Sequence, residues 1–396
     1  MNKGKSLQEK FLSLQGQTNP FPYLIDVDYA KGSYIYDKNG KAYLDMIAGV
    51  AVNNIGHNHP KVVTALKAQV DRHLHVMVYG EFIQDAQVEF AEKLTAVLPE
   101  KLNCVYTVNS GTEANEAALK LAKRITGRQE IIACKGAYHG STHGSLSVSG
   151  NETKKAPFQP LLPDVKFIRH NVLEDLEAIS TRTAAIIIEP VQGDAGVRQA
   201  STEYLKELRK KCNVTGTQLI FDEIQCGMGR TGKLFAFEHS EVIPDILTLG
   251  KALGGGMPIG AFVSSYEKMK LLSHDPMLGH ITTFGGHPAV CAAGAACLDV
   301  MNDEIDFDQV EEKGQYIEYQ LSEHPKVREI RRVGLMFAID MDNDEIVAEV
   351  VKNCLEEGLI SFWFLSHPSS FRLSPPLNIS WEEVKESVRI VLKSLG

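Results

Sequence analysis

Through the middle of the chain, apolar residues fall in short unbroken runs, several of them followed by a stretch with helical character. "NCVYTVNS" (103–110) leads into "TEANEAALKLAKRI", and "EIIAC" (130–134) and "VKFIRH" (165–170) follow. "AAIIIEP" (184–190) precedes the helix-like "TEYLKELRKKC", and "TQLIFDE" (217–223), "DILTLG" (245–250) and "GAFVSS" (260–265) complete the set. Continuous rather than alternating apolar strands imply a sheet covered on both faces, which is a property of largely parallel sheets. The pattern predicts an α/β protein.

The ends read differently. "KGSYIYDKNGKAYLD" predicts a hairpin around Asn39–Gly40. From about residue 290 helices alternate with short strands and charge increases. The expected organisation is a large α/β domain over 51–288 and a smaller α+β domain built from 1–50 and 289–396.

Charge and composition then narrow the class. No Asp, Glu, Lys or Arg occurs from Pro276 to Leu298, long enough to span a bilayer. Pro276, Pro288, Gly279, Gly285 and Gly286 interrupt it, and only "AVCAAGAACL" is continuously apolar. A loop followed by a buried helix is expected. A net charge of −9 without basic runs argues against a nucleic-acid partner. Seven scattered cysteines with no C-x-x-C suggest free thiols in a reducing compartment. "MNKGKSLQEKF" lacks the apolar core of a secretory signal. A cytoplasmic protein with no membrane partner is the expectation.

Ligands of open parallel sheets bind beyond the carboxyl ends of strands. Ser110–Gly111–Thr112, Glu189, Asp222 and Lys251 each follow an apolar run and should share one rim. A helix start with small residues offers N–H groups to an anion, although Ser110 or Thr112 as a simple N-cap accounts for the pattern too. Lys251 sits among Gly250, Gly254, Gly255 and Gly256, as a surface lysine or as an amine that a ligand approaches closely. Asp222 ends Leu219–Ile220–Phe221, so it should be buried and need a cation. Arg230 is one candidate; the ring nitrogen of pyridoxal phosphate is another. "CGMGRTG" fits G-x-G-x-x-G, but "KLFAFEHS" after it is no long amphipathic helix, which excludes a dinucleotide site. His57/His59 and His139/His143 have metal-like spacing without a completing ligand set, and read as turn or ring-packing residues; no metal is expected.

"IFDEIQCGMGRTG" followed by "DILTLGKALGGGMPIGA" resembles the signature of class III pyridoxal-phosphate aminotransferases, a fold-type I family. "GHNHPKV", "NSGTEANEAALKLA", "EPVQGDAGV", "TTFGGHP" and "FRLSPPL" extend the resemblance over nearly the whole chain, toward the acetylornithine, ornithine and ω-amino-acid branch. The resemblance implies that Lys251 holds pyridoxal 5'-phosphate as a Schiff base and carries the proton during transfer. It implies that Asp222 meets the ring nitrogen, Gln225 the ring hydroxyl, Gly111 and Thr112 the phosphate, and Tyr138 the ring face. Thr283 would reach the phosphate of a neighbouring subunit, which implies a homodimer with shared active sites. Arg372 would clamp a substrate carboxylate, with Glu189, Asp194, Ser141 and Thr282 around the substrate. The implied reaction is a ping-pong transfer from an ω-amine or amino acid, such as acetylornithine, ornithine or 4-aminobutyrate, to 2-oxoglutarate. A racemase or aminomutase on the same fold is the alternative, and a non-catalytic cofactor-binding protein a third class.

Three positions depart from the resembled pattern. Ser141 stands where relatives often have an arginine for a distal carboxylate. Asp194 replaces a common glutamate and, one methylene shorter, should pair more weakly with Arg372. His287 replaces a frequent asparagine.

Overall fold

Seven strands form the central sheet of the computed structural model, which describes residues 5–396. Their order is Cys104–Val108, Gly260–Ser264, Ile246–Leu249, Gln218–Asp222, Thr183–Ile188, Glu130–Cys134 and Val165–Ile168. Neighbours pair in parallel except Gly260–Ser264, which is antiparallel to both strands beside it. Successive side chains of a strand point to opposite faces. Ile186, Ile188, Leu219 and Phe221 accordingly enter one apolar cluster, and Ala185, Ile187 and Ile220 another on the opposite face. Both faces are buried, which is why these strands are apolar without alternation.

The helix Gly111–Thr126 covers one face with Ala114, Ala117, Ala118 and Leu121. The helix Pro288–Asp303 packs on Pro60–Arg72, on Asp85–Ala96 and on the turn that begins at Lys251. Among the described residues no helix is long and apolar enough to cross a membrane, so the uncharged run reads as expected.

The predicted hairpin forms between Tyr34–Asp37 and Ala42–Asp45. Asp37 Oδ1 accepts the N–H groups of Asn39 and Lys41 at 2.9 Å each, and Gly40 supplies the left-handed turn residue at φ +82°. Leu359–Ile360, from the far end of the chain, adds to this sheet in parallel with Ala42–Asp45. A second small sheet contains Glu329–Val333, Met336–Asp340, Ser370–Leu373 and Phe362–Trp363, all antiparallel. Arg230 is fully buried and joins these parts: it donates to the carbonyls of Leu335 and Pro375 and to Asn54 Oδ1. It is therefore not the partner of Asp222.

Candidate active site

The carboxyl ends of the central strands open on a cavity of about 260 Å³ lined by Gly111, Thr112, Tyr138, Glu189, Asp222 and Lys251. The shared rim expected from the strand ends is thus present, with Ser141 and Gln225 completing it. Two glycines let the walls meet. A Cβ on Gly250 would lie 3.3 Å from the backbone of Gly111, and a Cβ on Gly111 would lie 2.8 Å from Ile224. Lys251 follows with φ +45°, an uncommon conformation for a residue with a side chain, and opens a short 3₁₀ turn to Gly254.

Ser110 is an N-cap, its hydroxyl accepting from Glu113 N–H at 3.3 Å. Its carbonyl takes Ala114 N–H, so the N–H groups of Gly111 and Thr112 are the helix-start donors left over beside the cavity. The Thr112 hydroxyl is shared with Ser145 at 2.6 Å and Thr142 at 2.8 Å.

Asp222 is 3% exposed and receives three hydrogen bonds. Asn115 Nδ2 and His139 Nδ1 both donate to Oδ2 at 2.7 Å, and Ile224 N–H donates to Oδ1 at 3.0 Å. The supporting groups are themselves held: Thr248 donates to Asn115 Oδ1 at 2.8 Å, and Asn115 also donates to the His139 carbonyl at 2.7 Å. His139 Nε2 is buried and has no partner. Sequence reasoning placed His139 in a turn or a ring stack, and that reading is corrected: its ring is a hydrogen-bond partner of Asp222. Among the described residues no group of His, Cys, Asp and Glu is arranged to hold a metal ion.

Glu189 accepts the N–H groups of Tyr138 at 3.1 Å and Gly193 at 3.0 Å. Burial, with Asp222 close by, raises its carboxyl to about 7. The Lys251 amine is withdrawn from bulk water, and burial lowers its pKa against the pull of Asp222 and Glu189. A lowered amine is neutral for more of the time and a better nucleophile. Burial also raises the Tyr138 phenol, which remains 40% exposed at the rim.

Arg372 lies just outside this cavity on Ser370–Leu373, 5% exposed, its guanidinium 4.2 Å over the Phe364 ring. One bond of 3.1 Å runs from Nη2 to Asp194 Oδ1, while Nε is buried without a partner. Asp194 also accepts from Leu365 N–H at 3.2 Å and the Ser366 hydroxyl at 3.0 Å. The shorter carboxylate does reach the arginine, through a single hydrogen bond. Thr282 and Thr283 do not line the cavity of their own chain. The Thr282 hydroxyl accepts from Asn109 and Gly285, both at 3.1 Å, and Thr283 is exposed.

The residues present suit a phosphorylated pyridine aldehyde. Free helix-start N–H groups face the cavity, a fixed buried carboxylate can meet a protonated ring nitrogen, and a desolvated lysine can meet a carbonyl. Fold and site together define a fold-type I enzyme that depends on pyridoxal phosphate. The chain belongs to the class III aminotransferases, whose family model matches residues 16–395. It is 42% identical over 368 residues to an acetylornithine aminotransferase of Methanocaldococcus jannaschii, covering 89% of each chain. It is 39% identical over 370 residues to a LysW-aminoadipate semialdehyde/glutamate semialdehyde transaminase of Sulfolobus acidocaldarius, covering 92% of this chain and 93% of that one. The ornithine aminotransferase of Toxoplasma gondii, crystallized with partial occupancy of pyridoxal phosphate at its active site, superposes with a TM-score of 0.91. It shares 32% identity, and the match covers 98% of this chain and 94% of that one. The protein is a pyridoxal-phosphate-dependent transaminase.

Proposed function

We propose that this transaminase takes an amino group from an ω-amine or amino acid and passes it to 2-oxoglutarate by a ping-pong route, with Lys251 as the residue that binds the cofactor covalently. The observation that carries this reading is the convergence of Lys251, Asp222 and the helix start at Gly111 on one cavity. Pyridoxal phosphate, when bound, supplies the carbonyl that captures an amine and a ring that accepts electrons.

The N–H groups of Gly111 and Thr112 hold the phosphate, and Tyr138 and Gln225 flank the ring and its hydroxyl. A carboxylate has about four acceptor sites. Asp222 spends three of them on Asn115, His139 and Ile224, leaving one for the ring nitrogen. Lys251, with its lowered pKa, takes and returns the proton at the substrate carbon. Thr283, exposed on its own chain, serves the phosphate across a homodimer interface, with Thr282 fixing its loop. Arg372 alternates between Asp194 and a substrate carboxylate. The unpartnered Nε and single bond to Asp194 leave it ready to do so. The acetylornithine and ornithine aminotransferases among its relatives support an ω-amino donor, and the free thiols suit a cytoplasmic setting.

The test is a visible titration of the purified enzyme, without acceptor, against ornithine, acetylornithine, 4-aminobutyrate, putrescine, lysine and alanine. Loss of the yellow cofactor absorbance with release of a carbonyl product identifies the donor class. A stable yellow colour accompanied by racemised or isomerised amino acid would replace transamination with the racemase or aminomutase reading.

A further inference from the structure

The carboxyl rim of the central sheet continues past the floor of the active site, at Asp222 and Lys251, and past its mouth, at Arg372 and Asp194. At the edge of the sheet Glu130–Cys134 and Val165–Ile168 run in parallel, and Lys135 N–H donates to the Ile168 carbonyl at 2.8 Å. The chain thereby delivers Lys135 and Arg169 to one place on the rim. They line a second cavity, of about 690 Å³, which shares no lining residue with the one that holds Lys251. The hairpin of Val191–Gln192 and Arg198–Gln199 adds Arg198 to it, and the strand Glu329–Val333 adds Arg331 and Arg332.

Five cations line this cavity and no aspartate or glutamate does, in a chain whose net charge is −9. Three of them are neutralised from outside: Arg169 by Asp175 at 2.6 Å, Arg331 by Asp340 at 2.6 Å, and Arg332 by Glu311 and Glu318 at 2.8 Å each. Lys135 and Arg198 have no ion pair among the described residues, and both are exposed. Arg198 is held in place: its Nε donates to the Ala195 carbonyl at 3.0 Å, which leaves both Nη groups unused. Lys135 stands on backbone fixed by Ile168 and by Gln192, whose Nε2 donates to the Lys135 carbonyl at 3.1 Å. His170 adds no charge, since burial, with Arg198 nearby, lowers its pKa to about 4. One exposed lysine without a partner is ordinary. Two uncompensated cations in a single acid-free concavity focus a positive field there. The apolar side chains of the lining are small, Ala195, Val197 and Val333, and no Phe, Tyr or Trp is present to stack on a flat ring.

We propose that this cavity is a second, non-catalytic site for a phosphorylated and otherwise polar small molecule, with Lys135 and Arg198 as the phosphate contacts. A phosphate ester carries about two negative charges and three acceptor oxygens, which suits two free cations and the paired Nη donors. The volume lies in the range of small-molecule sites and leaves room beyond the phosphate for a polyol or sugar body. The site does not depend on which amine the enzyme uses.

The experiment is a calorimetric titration of holoenzyme with glycerol 3-phosphate, with glycerol and citrate as comparisons. Wild type should bind glycerol 3-phosphate and not glycerol. Lys135→Met and Arg198→Met should each weaken binding about 10- to 100-fold, the range of a lost hydrogen bond to a charged group, and Lys135→Arg should keep most of the affinity. Both residues lie outside the catalytic cavity, so turnover without added phosphate should stay at the wild-type level and report that the variants are folded. Arg372→Gln should leave glycerol 3-phosphate binding unchanged; a loss in that variant would put the anion in the active site and overturn the proposal. No binding by wild type at millimolar concentration, or an affinity that neither Lys135→Met nor Arg198→Met alters, would overturn it too. Citrate that binds as tightly as glycerol 3-phosphate, and as dependently on Lys135, would replace the phosphate by a carboxylate.

Discussion

Asp222 and Asp194 are both buried carboxylates, 3% and 5% exposed, and they are held in different ways. Asp222 ends a central strand and takes donors from the Gly111–Thr126 helix, from the Tyr138–His139 segment and from its own following loop. Two of those donors, Asn115 and His139, are themselves tied down, by Thr248 and by Ser149. Asp194 sits in a loop between two-residue strands, Val191–Gln192 and Arg198–Gln199, and holds Arg372 through one bond. Rigidity would suit the role proposed for Asp222, holding a bound cofactor in one protonation state. A single bond to a guanidinium with a spare buried donor would suit the opening proposed for Arg372, because an incoming carboxylate would satisfy what Asp194 leaves unmet.

The sharpest way to test the floor is to remove its amine. Lys251→Ala should reduce turnover by about 10⁴-fold, the upper range for a lost acid–base group, while retaining some non-covalent cofactor. Normal turnover by that variant would displace Lys251 from the mechanism. Asp222→Asn keeps the volume and loses the charge. A drop of about 10²- to 10³-fold in kcat is expected for every donor alike, with an altered cofactor spectrum. Asp194→Ala should act more weakly and selectively. About a 10-fold fall in kcat/KM is expected for ω-amine donors, because Arg372 is left without its partner, with little loss for a dicarboxylic oxo acid that supplies its own. If Asp194→Ala and Asp222→Asn gave the same uniform profile, the contrast between floor and mouth would collapse.

Much of the floor was legible in the sequence because its parts lie at strand ends. Unbroken apolar runs gave the strands nearly to the residue, and the polar group after each had only one rim to occupy. Direction was not legible: "GAFVSS" is as apolar as its neighbours, and nothing in it tells that Gly260–Ser264 runs antiparallel. His139 and Asn115 were missed for a related reason. Their partner Asp222 is 83 and 107 residues away, so local context offers only a histidine in a turn and an asparagine in an alanine-rich helix. A polar residue that would fall on the buried face of that helix was the available signal.

The smallest expected effect concerns Glu189, which sits between the two regions. Burial and the nearby Asp222 raise its carboxyl to about 7 from an ordinary 4.5, against the two backbone N–H groups that favour the charge. The native state therefore holds this proton more tightly than the unfolded chain does. The resulting stability is complete below about pH 4.5 and is lost as pH rises through about 7. Glu223, raised to about 8 by burial, adds a slope of the same sign, so wild type alone cannot isolate the term. The difference between wild type and Glu189→Gln does isolate it. In cofactor-free protein the melting temperatures of the two should diverge between pH 5 and 7 by a few degrees, the wild type losing its relative advantage as the carboxylate forms. A difference that stays constant across that range would mean Glu189 is ionised throughout, with the hydrogen bonds from Tyr138 and Gly193 outweighing its burial.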